Sequence, residues 1–328
     1  MTRRETVLAL LALGAAGRPL ASFAQQQDKI WRIGVLSIGS VATARHLVEA
    51  FFKGLADLGY QDARNVHYEV RYGEGSVEKF ERYAREHVST NVDLIWTSST
   101  PATLAAQKAT ASIPIVFALV GDPIYSKVVH SLARPGANLT GMSLMISETW
   151  LKRVEILNEI FPAGRRIGVL HNPLDSSNAA QLPYIQKGAL ALGKEVMIVE
   201  ARTPEEFASA FTQLKKWRAQ ALLNAESTLF LTNRRALLTA ATENRWPTVH
   251  SSKEYVAAGG IIAYGADYAD NCRDSATYVD RILKGAKPAD LPVAQPTKFE
   301  MVINLKAAKA IGLTIPPSVL LRADEVIQ

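Results

Sequence analysis

Short apolar stretches alternate along the chain with stretches in which apolar residues recur every three or four positions. Residues 31–36 are apolar enough to predict a strand, and apolar positions spaced by three and four from 44 to 58 predict a helix that ends at Gly59. The same alternation continues through residue 120. Strands that alternate with helices in this way are typical of βαβ units, and therefore of a parallel sheet with helices on both faces.

The alternation starts again in the second half of the chain. Residues 166–170 repeat residues 32–36 letter for letter, and a polar loop and a predicted helix follow each copy, so the pattern indicates a duplicated βα half. The predicted strands are 31–36, 66–70, 92–96, 113–120, 166–170, 195–199, 221–224, 248–250, 261–264 and 299–303. The predicted helices are 44–58, 77–88, 101–109, 177–191, 204–218, 229–244, 270–284 and 305–311, and Pro316 and Pro317 are expected to end regular structure.

These elements predict an α/β protein with two doubly wound parallel-sheet lobes hinged around a cleft. We expect the first lobe to contain residues 29–143 and 268–292. We expect the second lobe, together with the segment that returns through the hinge, to contain residues 144–267 and 293–328. Residues 131–143 are the best candidate for the first crossover between the lobes.

The first 24 residues have the pattern of a signal peptide. Arg3 and Arg4 precede an apolar run from 7 to 16, which is too short to span a bilayer. The sequence Ser-Phe-Ala at 22–24 supplies the small residues of a cleavage site. We therefore expect export to the periplasm and cleavage after Ala24, by either the general secretory or the twin-arginine route.

Composition and charge narrow the class of partner. Hydrophobic residues make up 48% of the chain and charged residues 21%, as is typical of a globular protein. The formal net charge is +6, but the basic residues are scattered and form no stripe with aromatic residues between them, so no nucleic-acid partner is expected. The single cysteine, Cys272, excludes an intramolecular disulfide and a cysteine-rich metal site. The histidines lack the spacing of a metal motif, and we expect neither metal nor cofactor.

Polar residues follow the predicted strands in both halves of the chain. In open parallel α/β sheets, ligands bind beyond the carboxyl ends of the strands, so these residues are candidates for ligand contact. They are Ser37, Ser40, Ser98, Ser99, Thr100 and Asp122 in the first half, and His171, Asn172, Glu226, His250, Tyr264 and Asp267 in the second. For the two histidines, a contact in the cleft and a role in a turn or cap both remain open.

Two of these positions predict an amino-acid-like ligand. Thr100, which is followed by proline, suits the N-cap of a helix, and the hydroxyls of Ser98, Ser99 and Thr100 at this positive helix end favour a ligand carboxylate. Asp122 follows the next strand and could pair with a ligand ammonium. The alternatives are that Thr100 only caps its own helix and that Asp122 only bonds its own turn. We expect the second lobe to contact the ligand side chain through residues such as His171, Glu226 and Tyr264.

Several segments spread over the mature chain carry a family resemblance. They are Arg-Ile-Gly-Val-Leu at 32–36, Ser-Thr-Pro-Ala at 99–102, Gly-Asp-Pro at 121–123, Ala-Arg-Pro-Gly at 133–136, Pro-Thr-Lys-Phe-Glu at 296–300 and Thr-Ile-Pro-Pro at 314–317. With them the chain resembles the ABC-transporter substrate-binding proteins of the type I periplasmic-binding-protein fold, in the group that includes proteins assigned to tryptophan and tyrosine transport. The resemblance implies two lobes, a small-molecule ligand in the cleft and delivery to a membrane permease.

We therefore predict a periplasmic solute-binding protein of an ABC importer, which acts as a monomer and captures a small polar ligand. An amino acid, including an aromatic one, is a candidate ligand. The alternatives are a sensory ligand-binding protein that feeds a receptor and, less favoured, an enzyme that acts on a small metabolite in the cleft. The sequence contains no Gly-x-Ser-x-Gly elbow, no Walker loop and no Gly-x-Gly-x-x-Gly after a strand, and we predict a protein without catalytic activity.

Overall fold

The computed structural model describes residues 29–328, so the predicted signal peptide lies outside the described residues. The strands are β1 (Trp31–Ser37), β2 (Val66–Tyr72), β3 (Leu94–Thr97), β4 (Ile115–Val120), β5 (Leu139–Ser143), β6 (Arg166–His171), β7 (Glu195–Glu200), β8 (Ala221–Asn224), β9 (Val249–His250), β10 (Ile262–Gly265), β11 (Glu300–Asn304) and β12 (Glu325–Ile327).

The helices are α1 (Val41–Asp57), α2 (Val77–Ser89), α3 (Thr100–Ala109), α4 (Ile146–Ile160), α5 (Ser176–Ala179), α6 (Leu182–Ala191), α7 (Phe207–Lys216), α8 (Thr228–Thr232), α9 (Arg234–Glu243), α10 (Lys253–Ala257), α11 (Tyr268–Leu283), α12 (Leu305–Ala310) and α13 (Pro317–Leu320). Short 3-10 helices cover Pro204–Glu206 and Pro288–Asp290. Over residues 29–328, none of the helices combines the length and the apolar character that crossing a bilayer requires.

The first sheet is entirely parallel and has the strand order β2-β1-β3-β4-β5. Strands β3 and β4 are buried along their whole length, which explains why their sequences are almost uninterruptedly apolar. Val35 of β1 lies opposite Val70 on one side and Trp96 on the other. Because the strands are parallel, the loops that follow them lie at one edge of the sheet.

The second sheet consists of two strand groups. Strands β7, β6 and β8 are parallel, and the other group has the order β12-β11-β10-β9. A bridge between Leu222 and Thr248 joins the groups, and the Leu222 N–H donates to the Pro247 carbonyl at 3.1 Å. Strands β10 and β11 are antiparallel, so this sheet departs from the all-parallel sheet that the alternation predicts. To pair in parallel with β10, strand β11 would have to follow a crossover helix packed on the same sheet. The helix that precedes β11 packs on the first sheet instead.

Two helices each follow a strand of one sheet in sequence but pack on the other sheet. Helix α11 packs along α1 on the first sheet, where Trp96 stacks on Phe51 at a ring distance of 4.4 Å and donates its indole N–H to Ser275 Oγ at 2.8 Å. Helix α4 packs on α6 and on strands β9 and β10 of the second sheet. The chain therefore crosses between the sheets at residues 144–145, 266–267 and 284–299.

Five strands and α-helices of the structure have no counterpart in the predicted pattern: β5, β12, α4, α10 and α13, of which β5 and α4 lie at the first crossing. Strand β5 occupies residues 139–143, inside the predicted crossover, and the chain crosses only after it. Asn138 fixes the start of β5 by donating to the carbonyls of Thr110 and Ile113. Helix α4 covers a stretch for which the pattern predicts no element. Both were missed because β5 is short and contains glycine, and because neither boundary of α4 carries a strong sequence signal.

Proline positions explain two further differences. The predicted helix 177–191 is divided into α5 and α6, since Pro183 suits the first turn of a new helix and disrupts the interior of a long one. Pro316 and Pro317 do not end regular structure, because α13 begins at Pro317 and β12 follows it.

Gly54 of α1 lies where the backbones of α1 and α11 approach each other. A methyl group at this position would lie 2.3 Å from the Arg273 carbonyl oxygen. We expect Gly54→Ala to lower the free energy of unfolding by about 1–3 kcal/mol, since overpacking outweighs the gain of up to about 1 kcal/mol in helix propensity. Urea denaturation followed by circular dichroism measures the difference. Lys53→Ala on the exposed face of α1 is the matched control, and a Gly54→Ala protein as stable as this control would contradict the close packing.

Candidate functional site

The loops at the carboxyl ends of both sheets enclose two adjoining cavities. The inner cavity has a volume of about 30 Å³ and the outer groove one of about 520 Å³. Asp175, Ser227 and Thr228 line both of them. The inner cavity is lined by Ile38, Ser99, Thr100, Leu119, Gly121, Leu144, Ile146, Asp175, Glu226, Ser227, Thr228, Leu231 and Tyr268.

Two hydroxyl residues at the start of α3 form the first sheet's polar contribution to the inner cavity. Ser99 is the N-cap, and its Oγ accepts from the Ala102 N–H at 3.3 Å. Thr100 Oγ1 accepts from the Gly121 N–H at 3.3 Å. The prediction of an N-cap at Thr100 is therefore wrong by one residue, because Ser99 has the extended backbone that an N-cap requires. Both hydroxyls retain a proton that they can donate to a ligand.

Glu226 contributes a buried carboxylate from the second sheet. It follows β8, and Gln181 fixes its backbone: Gln181 Oε1 accepts from the Glu226 N–H at 2.6 Å, and Gln181 Nε2 donates to the Glu226 carbonyl at 2.9 Å. The hydroxyls of Ser251 and Tyr255 each donate to one carboxylate oxygen, the second at 3.3 Å. Burial raises the pKa of Glu226 to about 7, because these hydroxyls replace only part of the lost hydration.

Ser227 and Thr228 repeat at α8 the arrangement of Ser99 and Thr100 at α3. Ser227 is the N-cap of α8, and its Oγ accepts from the Leu229 N–H at 3.3 Å. Thr228 is 6% exposed and lines both cavities. Each sheet therefore contributes one serine cap followed by one threonine to the inner cavity.

His250 lines neither cavity and packs against residues of the second sheet. Its Nδ1 lies 3.0 Å from Asn224 Oδ1, and its ring stacks on Tyr255 at 4.3 Å. Nε2 is buried and has no hydrogen-bond partner among residues 29–328. Burial lowers the pKa of His250 to about 3, so the imidazole is neutral and Nδ1 donates to Asn224.

Four other candidate residues, three from the first half and one from β6, differ in whether they line a cavity. Ser40 lines the outer groove. Ser37 and Ser98 are fully buried and line neither cavity, and Ser98 Oγ accepts from the Ile38 N–H at 2.9 Å. His171, also outside both linings, lies with its Nδ1 2.5 Å from an oxygen of a neighbouring asparagine. The side chains of Ser98 and His171 are hydrogen-bonded within the protein, whereas the buried Ser37 hydroxyl has no hydrogen-bond partner among residues 29–328. Of the four, only Ser40 faces an open space.

Of the remaining candidates of the second half, one lines the outer groove and two lie at or close to the crossing at 266–267. Asn172 lines the outer groove and donates to Ser227 Oγ at 3.1 Å. Tyr264 stacks on Phe299 at a ring distance of 6.1 Å. Asp267 caps α11 and forms an ion pair with the Lys253 ammonium. Neither Tyr264 nor Asp267 lines the inner cavity or the groove.

Asp122 lies outside the lining of both cavities. Its Oδ1 accepts from the Tyr125 N–H at 3.0 Å, and its Oδ2 accepts from the Ser147 hydroxyl at 3.4 Å. The carboxylate therefore stabilises the turn after β4, as aspartate commonly does. This geometry matches the alternative in which Asp122 bonds its own turn, and its pairing with a ligand ammonium stays a prediction.

The sequence analysis missed four polar residues of the inner cavity: Asp175, Ser227, Thr228 and Tyr268. A signal for two of them was present, because Ser227 and Thr228 follow a strand as Ser99 and Thr100 do. Asp175 and Tyr268 carry no such signal, since only the folded chain brings the loops after β6 and β10 to one cavity.

The inner cavity combines three kinds of chemistry. It has hydroxyl donors from both sheets, buried carboxylates at Asp175 and Glu226, and a wall of aliphatic side chains, which are Ile38, Leu119, Leu144, Ile146 and Leu231. The described part of the chain contains no group of three or more histidine, cysteine or acidic side chains that could hold a metal ion. This lining offers partners for an anionic, a cationic and an apolar part of a small molecule. A volume of about 30 Å³ holds only a water molecule or two, however, so a larger ligand requires the walls to move apart.

His250 makes the stability of the fold depend on pH. The unfolded side chain takes up a proton near pH 6.5, whereas the buried one resists protonation down to about pH 3. Its contribution to stability is therefore complete above pH 6.5 and is lost as the pH falls towards 3, at up to about 1.4 kcal/mol per pH unit. We expect His250→Phe, which cannot titrate, to lose less stability than the wild type between about pH 7 and pH 4.5 in urea denaturation. The exposed His67→Phe is the control, and identical pH dependence in both variants would contradict neutral burial of His250.

Comparison with known proteins identifies the family. Residues 32–327 match the family model described as ABC transporter substrate binding protein. A tyrosine-binding protein from Clostridioides difficile (strain R20291) is 25% identical over 327 residues, which are 95% of this chain and 94% of that relative.

Two solved structures are similar in both sequence and fold. One is a conserved domain protein from Vibrio cholerae O1 biovar El Tor strain N16961, with 28% identity and a TM-score of 0.86. The other is an ABC domain in complex with L-Trp from Streptococcus pneumoniae, with 28% identity and a TM-score of 0.85. Each match covers 91% of this chain and 100% of the other. Since the family model also spans nearly all the described residues, this chain belongs to the family of ABC transporter substrate-binding proteins.

Proposed function

We propose that this protein binds an amino acid with an apolar side chain at the inner cavity, which a movement of the two lobes enlarges to admit it, and delivers it to the permease of an ABC importer. The observation that carries the proposal is the combination, in one cavity, of hydroxyl donors, two buried carboxylates (Asp175 and Glu226) and an aliphatic wall. The relatives support it, since one is a tyrosine-binding protein and another was solved with L-Trp. No observation on this chain favours a sensory protein or an enzyme, and the proposed cycle is binding and release without turnover.

The ligand carboxylate is proposed to bind at the start of α3. Ser99 and Thr100 line the cavity there, and α3 is long enough, at ten residues, to present a positive end. Thr228 lies in the opposite wall and offers a further hydroxyl. Oriented hydroxyl and backbone donors are a common way of binding a carboxylate without a cationic side chain.

The ligand ammonium is proposed to bind Glu226. In the empty cavity this carboxylate is buried and its pKa is raised, so a proton or a cation is needed to stabilise it. A ligand ammonium meets this need through a charge-assisted hydrogen bond. Glu226 therefore replaces Asp122 as the candidate partner, since Asp122 bonds its own turn.

Ligand entry is proposed to require a hinge movement of two lobes, with residues 29–143 and 268–292 in one and residues 144–267 and 293–328 in the other. Contacts already join the two sides: His46 Nε2 lies 3.4 Å from Glu254 Oε1, and Gly75 lies against α8. A closed site excludes water from the ligand, and opening at the crossings would release it. We propose a monomer, since one chain supplies both walls of the cavity, and a periplasmic location, which the predicted signal peptide supports.

Glu226→Gln tests the ammonium site with little change of shape. We expect the affinity for the bound amino acid to fall by about 2 kcal/mol, roughly thirtyfold, because the ammonium loses its buried counter-charge. Calorimetry with L-tyrosine and L-tryptophan measures this loss. Wild-type affinity should also rise with pH between about 6 and 8, as Glu226 gives up its proton, and this rise should be absent from the variant.

Asp122→Asn is the matched control for Glu226→Gln. It removes the same charge from a position outside the cavity, and we expect its affinity to stay within about twofold of the wild type, since it loses no ligand contact. The reverse result, with affinity lost in Asp122→Asn and kept in Glu226→Gln, would restore the original prediction and contradict the site at Glu226.

A further inference from the structure

Arg153 of α4 is a buried cation without a contacting anion. Its side chain is 1% exposed, and it forms no ion pair with any acidic side chain in the described part of the chain. Nε donates to the Tyr264 carbonyl at 2.9 Å, Nη1 donates to the Ile146 carbonyl at 3.5 Å, and the guanidinium lies 4.8 Å from the centre of the Trp150 ring. Burying a guanidinium with only carbonyl partners is costly, and such residues are kept where they serve a purpose other than stability.

The two carbonyls that Arg153 binds flank two crossings between the sheets. Ile146 directly follows the crossing at 144–145, and Tyr264 precedes the crossing at 266–267. One guanidinium therefore ties together both short crossings, at the point where any hinge movement must pivot.

A chain of contacts joins Arg153 to Glu226. Trp150, whose ring the guanidinium covers, donates its indole N–H to Gln181 Oε1 at 2.8 Å. The same oxygen accepts from the Glu226 N–H at 2.6 Å. The side chain that anchors the Glu226 backbone is thus itself held against the helix that carries Arg153.

The charge of Arg153 also acts on Glu226 through the protein interior. Around the Glu226 carboxylate, the hydroxyls of Ser251 and Tyr255 and the cation of Arg153 favour the ionised form, whereas burial and the negative charge of Glu254 oppose it. The same cavity is also lined by the acidic Asp175 and by Tyr268, and neither of them carries a positive charge. In a low-dielectric interior, attraction between groups that do not touch is strong.

We propose that Arg153 is a positioning residue of the ligand site, which keeps the Glu226 carboxylate in place and ionised for the ligand ammonium while it joins the two short crossings. The inference rests on the proposed function, but Arg153 itself is not proposed to touch the ligand. A purely structural arginine would hold the crossings and leave the titration of Glu226 unchanged.

The test measures the titration of Glu226 in the ligand-free protein. Carbon-13 NMR follows the carboxyl signal, which Glu226→Gln identifies by its disappearance. We expect Arg153→Met to raise the midpoint of this titration by about one pH unit or more, since an opposite charge within reach lowers a carboxyl pKa by that amount. Lys152→Met removes the neighbouring, exposed cation of the same helix and should leave the midpoint unchanged. The affinity for L-tryptophan at pH 7 should fall about fivefold in Arg153→Met, in proportion to the ionised fraction.

A measurement on the wild type covers the case in which Arg153→Met does not fold. The nitrogen-15 signal of Arg153 Nε should change with pH at the same midpoint as the Glu226 carboxyl, and this change should vanish in Glu226→Gln. An Arg153 signal that does not follow Glu226, or an unchanged Glu226 midpoint in folded Arg153→Met, would overturn the proposal. A shifted midpoint in a protein that binds neither L-tryptophan nor L-tyrosine would support the role of Arg153 and contradict the proposed ligand instead.

Discussion

A carboxylate removed from water must be paired with a charge or carry a proton, and Glu226 imposes this condition on the rest of the cavity. Its backbone is fixed by Gln181, its oxygens accept from two hydroxyls, and it forms no ion pair with Arg153, whose charge favours its ionised form. The free protein therefore holds an anionic site whose charge is only partly balanced. In the proposed function, a cationic ligand group completes this balance, so the proposed ligands are those that bring an ammonium.

The two sheets serve this site by bringing loops from distant parts of the chain to one place. Parallel strands end at a common edge, so the serine–threonine pairs that follow β3 and precede α8 meet across the same cavity. Helices α4 and α11 each follow a strand of one sheet and pack on the other, and each starts directly after a crossing between the sheets. The inner cavity and the crossings are consequently neighbours, and Arg153 bonds the carbonyls of Tyr264 and Ile146, which flank the two short crossings.

The alternation of apolar and amphipathic segments was sufficient to predict the α/β class, most strands and the repetition of the fold in the second half. It failed where a boundary depends on tertiary contacts: β5 starts at an asparagine that bonds distant carbonyls, and β10 pairs antiparallel with β11 because no crossover helix packs between them. At the site, the rule that ligands bind after parallel strands found Ser99, Thr100 and Glu226. The same rule could not separate Glu226 from Asp122, since both follow strands and only burial and hydrogen bonding in the folded chain distinguish them.

The most direct test of this account is a crystal structure of the protein grown with L-tryptophan or L-tyrosine. The account predicts the amino acid in the inner cavity, its ammonium within hydrogen-bond distance of the Glu226 carboxylate and its carboxylate at Ser99 and Thr100. An ammonium bound to Asp122, or a ligand carboxylate facing Glu226, would contradict the central claim.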